Sequence, residues 1–131
     1  MSEMPDHALV TAFEDLALAP GDFTHREHVR LAFAMLHGAD FGDAALRFRR
    51  GLQRFATAAG VPHKVHETLT WAYLAVVHEC MHEVSCVDSL ELLARCPELL
   101  DHRAGALARH YDVDAITRSP LARRVFVLPR R

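Results

Sequence analysis

Two short segments combine histidine, glutamate and threonine at spacings that place their side chains on one helical face. The first contains His25 and His28, and the second contains His66, Glu67 and Thr70. Residues three or four apart are neighbours on the surface of a helix. Imidazole and carboxylate groups bind transition metals such as zinc, iron or copper, and helical bundles hold such metals between facing helices. The predicted metal ligands are His25, His28, His66 and Glu67.

A metal held in this way is predicted to be catalytic. Three histidines, with or without one carboxylate, leave a coordination position open for water or substrate. The positive end of a helix disfavours protonated histidine, and neutral imidazole is the form that binds metal. Glu67 and Thr70 are the predicted catalytic residues, Thr70 as a supporting hydroxyl one turn after His66. The leading hypothesis is a small metal-dependent enzyme that acts on a small-molecule substrate.

Other interpretations of these histidines remain open. They can be core residues that hydrogen bond to the backbone, or they can line a non-catalytic module that binds a metal or a small ligand. A third hypothesis is a zinc peptidase, because His78, Glu79 and His82 match the His-Glu-x-x-His motif. Glu83 adds a charge beside that motif, which weakens the match. At 1.5 Å per helical residue the motif lies about 18 Å from His66, so it would be a separate site.

Helices are the elements that must position these residues. Apolar spacing typical of helices runs through the chain, with strand-like alternation only near its end. The sequence predicts an all-α, compact bundle in a single domain of residues 1–131, with a short tail. The six predicted helices cover approximately residues 6–18, 25–37, 43–59, 62–84, 86–95 and 98–110. Ser119 and Pro120 are predicted to begin one last short turn.

The loops between the predicted helices determine where the histidines meet. The second, third and fourth helices are joined by a few residues each, so consecutive helices should be antiparallel neighbours. The second and fourth are then parallel, with His25 and His28 level with His66. The fourth helix is apolar nearly all round between Leu69 and Val77, which predicts a central position.

Composition argues against several classes of partner. The formal net charge is −2, with 15 Lys and Arg against 17 Asp and Glu, which gives no basis for binding nucleic acid. The apolar run is shorter than the roughly 20 residues of a membrane span, and the first residues do not resemble a signal peptide. The three cysteines lack Cys-x-x-Cys spacing, so neither a disulfide framework nor a thiolate zinc site is predicted. A cytoplasmic location is expected.

The C-terminal tail carries the apolar residues Phe126, Val127 and Leu128 between pairs of arginines. An unpacked apolar tail would be an aggregation risk. The tail is therefore predicted to fold back onto the bundle with Phe126 buried.

Three segments of the chain resemble a family of small helical bacterial proteins whose function is uncharacterised. The segments are FTHREHVRLA at 23–32, HETLTWAY at 66–73 and SPLARRVFVLP at 119–129. The resemblance covers most of the chain, although Val65 stands where a tyrosine is common. It implies a shared site at His25, His28, His66 and Glu67, with Thr70 as a further candidate, and it implies no particular reaction.

Overall fold

The computed structural model describes residues 3–101 and 105–129. Within these ranges the chain forms helices and short turns and no strand, which confirms the predicted all-α bundle. The α-helices are α1 (Asp6–Glu14), α2 (His25–Leu36), α3 (Phe41–Ala58), α4 (Glu67–Glu83), α5 (Ser89–Arg95), α6 (Val113–Arg118) and α7 (Pro120–Arg124). Single 3-10 turns occupy Pro20–Asp22, Pro62–Lys64, Pro97–Leu100 and Ala106–Arg109.

Helix α2 begins where the sequence predicts. Thr24 and Glu27 form a capping box, in which each side chain satisfies an amide that has no partner inside the helix. His25 is therefore the first helical residue and His28 lies one turn later. Helix α3 begins two residues earlier than predicted, because the side chain of Asp40 caps it by accepting from the Asp43 amide.

Helix α4 begins five residues later than the sequence predicts. Pro62 opens a separate 3-10 turn, and the extended backbone at Val65 ends it. His66 is then the N-cap of α4, and its Nδ1 accepts a hydrogen bond of 3.1 Å from the Leu69 amide. The first amides of a helix need such partners from outside the helical ladder. One nitrogen of His66 is thus used to start the helix.

Helices α2 and α4 pack against each other near the centre of the bundle. Helix α2 also contacts α1, α3 and α5, and α4 also contacts α3, α6 and α7. The fully buried side chains of the two helices include Leu31, Phe33, Leu74 and Val77. Among the described residues, none of the helices combines the length and apolar character that a membrane crossing requires.

The region after α5 differs from the sixth helix predicted for residues 98–110. Two 3-10 turns, Pro97–Leu100 and Ala106–Arg109, flank residues 102–104, which lie outside the described residues. A Cβ atom at Gly105 would lie 2.1 Å from the carbonyl oxygen of Glu98. Only glycine permits this close approach of two backbone segments. The chain turns back here, and α6 follows where no helix was predicted.

The C-terminal tail packs back onto the bundle as predicted. The Val127 amide donates to Thr68 Oγ1 at 3.0 Å, and the Tyr111 hydroxyl donates to the Val127 carbonyl at 2.8 Å. The prediction that Phe126 is buried is wrong, because its side chain is 46% exposed. Successive side chains of an extended segment point to opposite sides. Val127 is the residue that packs against the core, so Phe126 faces away from it.

Candidate functional site

A cavity of about 470 Å³ lies between α2, α3 and α4. Its wall is mainly apolar and includes aromatic rings contributed by Phe23, Phe48 and Phe55. The polar side chains that line it are His25, His28, Lys64, His66, Thr70 and Tyr73. The starts of α2 and α4 thus bring three of the four predicted metal ligands to one cavity.

His28 lies among the aromatic rings of the cavity wall. Its ring centroid is 4.0 Å from that of Phe23 in a stacked arrangement and 6.5 Å from that of Phe48, edge-on. No hydrogen bond joins either ring nitrogen of His28 to another described residue. Burial, with a smaller contribution from His25, lowers the pKa of His28 to about 4. The ring is therefore neutral at pH 7, with one donor and one acceptor nitrogen.

His66 uses both of its ring nitrogens within the fold. Nε2 lies 2.8 Å from the carbonyl oxygen of Ile116, and Nδ1 accepts from the Leu69 amide. A carbonyl can only accept, so the proton is on Nε2. Burial lowers the pKa of His66 below its usual value. Burial thus acts in the same direction on the pKa of His28 and on that of His66.

His25 is held by a backbone carbonyl on the other side of the cavity. Its Nε2 donates to the carbonyl oxygen of Leu99 at 2.8 Å, and its ring meets the ring of Tyr73 with centroids 5.0 Å apart. Leu99 belongs to the 3-10 turn after α5. The position of His25 therefore depends on a turn that lies 74 residues away in the sequence.

Glu67 is not part of the cavity wall. Arg49 Nε donates to Glu67 Oε1 at 2.8 Å, and Trp71 Nε1 donates to Glu67 Oε2 at 3.0 Å. Thr70 does line the cavity, and its hydroxyl donates to the carbonyl of His66 at 2.7 Å. Within the described residues, no three of the predicted ligands bring ligand atoms within 4.8 Å of one another. The metal site at the histidines and Glu67 stays a prediction.

The second histidine motif lies on the other half of α4. His78 Nε2 and His82 Nε2 are 3.2 Å apart, so both rings share one helical face as the peptidase motif requires. Glu79 and His82 are exposed, and His78 packs against the ring of Phe41. No third ligand joins this pair among residues 3–101 and 105–129.

Two cysteines and a glutamate form a cluster that the spacing of the cysteines does not predict. Ligand atoms of Cys80, Cys96 and Glu98 all lie within 4.8 Å of one another. Burial raises the pKa of Cys80 to about 12 and also raises the pKa of Cys96. Fifteen residues separate the cysteines in the sequence, which matches no metal-binding spacing. Only Cys96 and Glu98 are close in the sequence, two residues apart.

No protein-family model matches the chain, and no curated protein or solved structure shows significant similarity to it. The resemblance to small bacterial proteins stays a prediction. Function is therefore inferred from the geometry of the cavity and of its polar groups.

Proposed function

We propose that the protein binds a small, mainly apolar molecule in the cavity and hydrogen bonds to it through His28. The observation that carries the proposal is a neutral imidazole in the cavity wall with no hydrogen-bond partner among the described residues. The ring is partly buried and its nitrogens are accessible from the cavity, so a molecule bound there can hydrogen bond to them.

The size and lining of the cavity support a small-molecule ligand. Its volume of about 470 Å³ lies in the range of roughly 300–1,000 Å³ typical of such sites. Such sites usually combine apolar and aromatic walls with a few polar groups that fix orientation. Phe23 and Phe55, whose centroids are 4.7 Å apart, form one aromatic wall of this cavity. The expected ligand is an aromatic or aliphatic body with one hydroxyl or carbonyl group.

The three histidines and Thr70 of the cavity wall divide into two kinds. Thr70, His66 and His25 already hydrogen bond to the backbone, which fixes the shape of the wall. His28 retains donor and acceptor capacity for the ligand. This division favours recognition by one imidazole within a fixed apolar cavity.

A matched pair of probes tests the proposal. 1-Naphthol and naphthalene differ only in a hydroxyl group, and binding of each is followed by protein NMR shifts and ligand-observed NMR. We expect 1-naphthol to bind more tightly and to shift the resonances of His28. His28→Phe should remove the preference, since one hydrogen bond to a ligand contributes about 1 kcal/mol.

Two further variants serve as controls. His110→Phe changes an exposed histidine outside the cavity and should leave binding unchanged. Ala32→Phe would fill the cavity and should abolish binding of both probes. Shifts that spread over the surface, or binding that Ala32→Phe leaves intact, would contradict the proposal.

A metal-dependent enzyme is the second candidate, favoured by three imidazoles in one cavity wall. It requires His25 and His66 to release backbone carbonyls and Glu67 to leave Arg49. Elemental analysis of protein purified without a histidine tag tests it. Metal that is lost in both His28→Ala and His66→Ala would support it, and metal that persists in both would exclude this site.

A further inference from the structure

A second group of side chains that could bind a metal lies near the C-terminal end of α4. Cys80 is on α4, Cys96 ends α5, and Glu98 is in the 3-10 turn that follows. Both cysteines are buried and Glu98 is partly buried. We propose that Cys80, Cys96 and Glu98 bind a zinc ion.

The donor atoms suit zinc. Two thiolates and one carboxylate combine a soft and a hard ligand type, and zinc accepts both. Zinc bonds of about 2.3 Å to sulfur and about 2.0–2.2 Å to oxygen place tetrahedral ligand atoms roughly 3.5–3.8 Å apart. The three ligand atoms already lie within 4.8 Å of one another, so small side-chain rotations would bring them to zinc.

The charge of the cluster also favours a cation. No salt bridge or hydrogen bond joins the Glu98 carboxylate to a basic side chain among the described residues. A divalent cation would displace the thiol protons and compensate all three negative groups.

Zinc in this position would tie three segments of the fold together. It would join α4 to the end of α5 and to the turn Pro97–Leu100. The carbonyl of Leu99, next to Glu98, accepts the hydrogen bond from His25 at 2.8 Å. The ion would thereby stabilise the turn that positions one wall of the cavity. Three protein ligands leave a fourth position for water.

The third cysteine provides a matched control. Cys86 is half-buried and lies outside the cluster. Untagged protein is treated with chelator and reductant, and is then titrated with zinc by calorimetry and with cobalt(II) by absorption spectroscopy. We expect one equivalent of zinc, and thiolate-to-cobalt charge-transfer bands in the near ultraviolet that imidazole ligands do not produce.

Cys80→Ala and Cys96→Ser should each weaken zinc binding by at least about 100-fold, more than loss of an outer ligand partner costs. Cys86→Ser should bind like the original protein. Circular dichroism of each metal-free variant reports whether it is folded. Glu98→Gln changes the less buried ligand and keeps both thiols. Cobalt spectra without thiolate bands, or zinc binding that the Cys80 and Cys96 variants leave unchanged, would overturn the proposal.

The pair His78 and His82, of which His82 is exposed, is a competing place for zinc. His82→Ala should leave the thiolate bands intact, and binding that depends on His82 instead of Cys96 would also overturn the proposal. His28→Ala distinguishes the zinc proposal from the proposed ligand site. It changes a residue of the cavity wall and leaves the cluster untouched, so zinc binding should persist in it.

Discussion

Glu67 turns its carboxylate to Arg49, with Arg49 Nε 2.8 Å from Glu67 Oε1. The two residues lie on α4 and α3, and Trp71 donates to the second carboxylate oxygen. This ion pair takes Glu67 out of the cavity, although it directly follows His66 in the sequence. His66 and Glu67 therefore have different surroundings and are expected to respond differently to substitution.

Glu67→Gln should lower the free energy of unfolding by only about 1 kcal/mol, because the ion pair is partly exposed. It should leave binding of 1-naphthol unchanged, since the side chain is outside the cavity. Chemical denaturation and NMR titration measure the two effects. Glu14→Gln is the control, because Glu14 forms a similar pair with Arg47. Loss of ligand or metal binding in Glu67→Gln alone would instead support a role for Glu67 in the site.

His28 should make stability depend on pH. Its pKa falls from 6.5 to about 4 on folding, so the unfolded chain binds the proton more readily. The contribution of His28 is complete above about pH 7 and is lost as the pH falls from 6.5 through 4. The expected loss, once the pH is below both pKa values, is about 3 kcal/mol, at about 1.4 kcal/mol per pKa unit.

Denaturation between pH 4 and pH 8 measures this effect, and comparison with His28→Gln isolates it from the carboxylates. The variant should show a shallower decline below pH 6.5, whereas His110→Gln should match the original protein. NMR titration supplies the direct check. A pKa of 6.5 or higher for His28 in the ligand-free protein would rule out the buried, neutral state.

Thr68 should anchor the C-terminal tail. Its hydroxyl lies 2.8 Å from the Ala122 carbonyl and 2.9 Å from the Val125 carbonyl, and it accepts from the Val127 amide at 3.0 Å. Thr68→Val keeps the shape of this fully buried side chain but leaves backbone groups without partners. We expect a loss of about 1–3 kcal/mol and faster proteolysis of the tail.

Thr57→Val at an exposed position is the control for the valine substitution. Its stability and proteolysis should resemble those of the original protein. If Thr68→Val also behaves like the original, the tail does not depend on these hydrogen bonds.

Arg30 should be the most costly arginine to replace. Its side chain is 2% exposed, and Nε donates to Ser89 Oγ at 2.8 Å while Nη2 lies 3.2 Å from Asp6 Oδ1. Arg30→Met leaves Asp6 without its cation and should cost about 3–5 kcal/mol. The exposed Arg50 gives the matched control, Arg50→Met, which should cost less than about 0.5 kcal/mol. Thermal and urea unfolding of both variants measure the difference.

The sequence by itself determined the helical architecture and the meeting of the histidines. The Thr24 and Glu27 capping box fixed the start of α2, because it depends on residues three apart. Short loops then placed the starts of α2 and α4 at one end of the bundle, so that His25, His28 and His66 reached the same cavity. These features follow from local interactions, which can be predicted from spacing alone.

Only the tertiary structure decided which polar groups have partners. Ile116, 50 residues from His66, occupies its Nε2, and Arg49 holds Glu67 on the outer side of α4. The same packing brings Cys80 and Cys96 together without a recognisable spacing. A buried polar group takes the nearest donor or acceptor in space, and that partner is often remote in the sequence. For this reason local spacing predicted that the histidines lie close together, but not which of the predicted ligands already have partners within the fold.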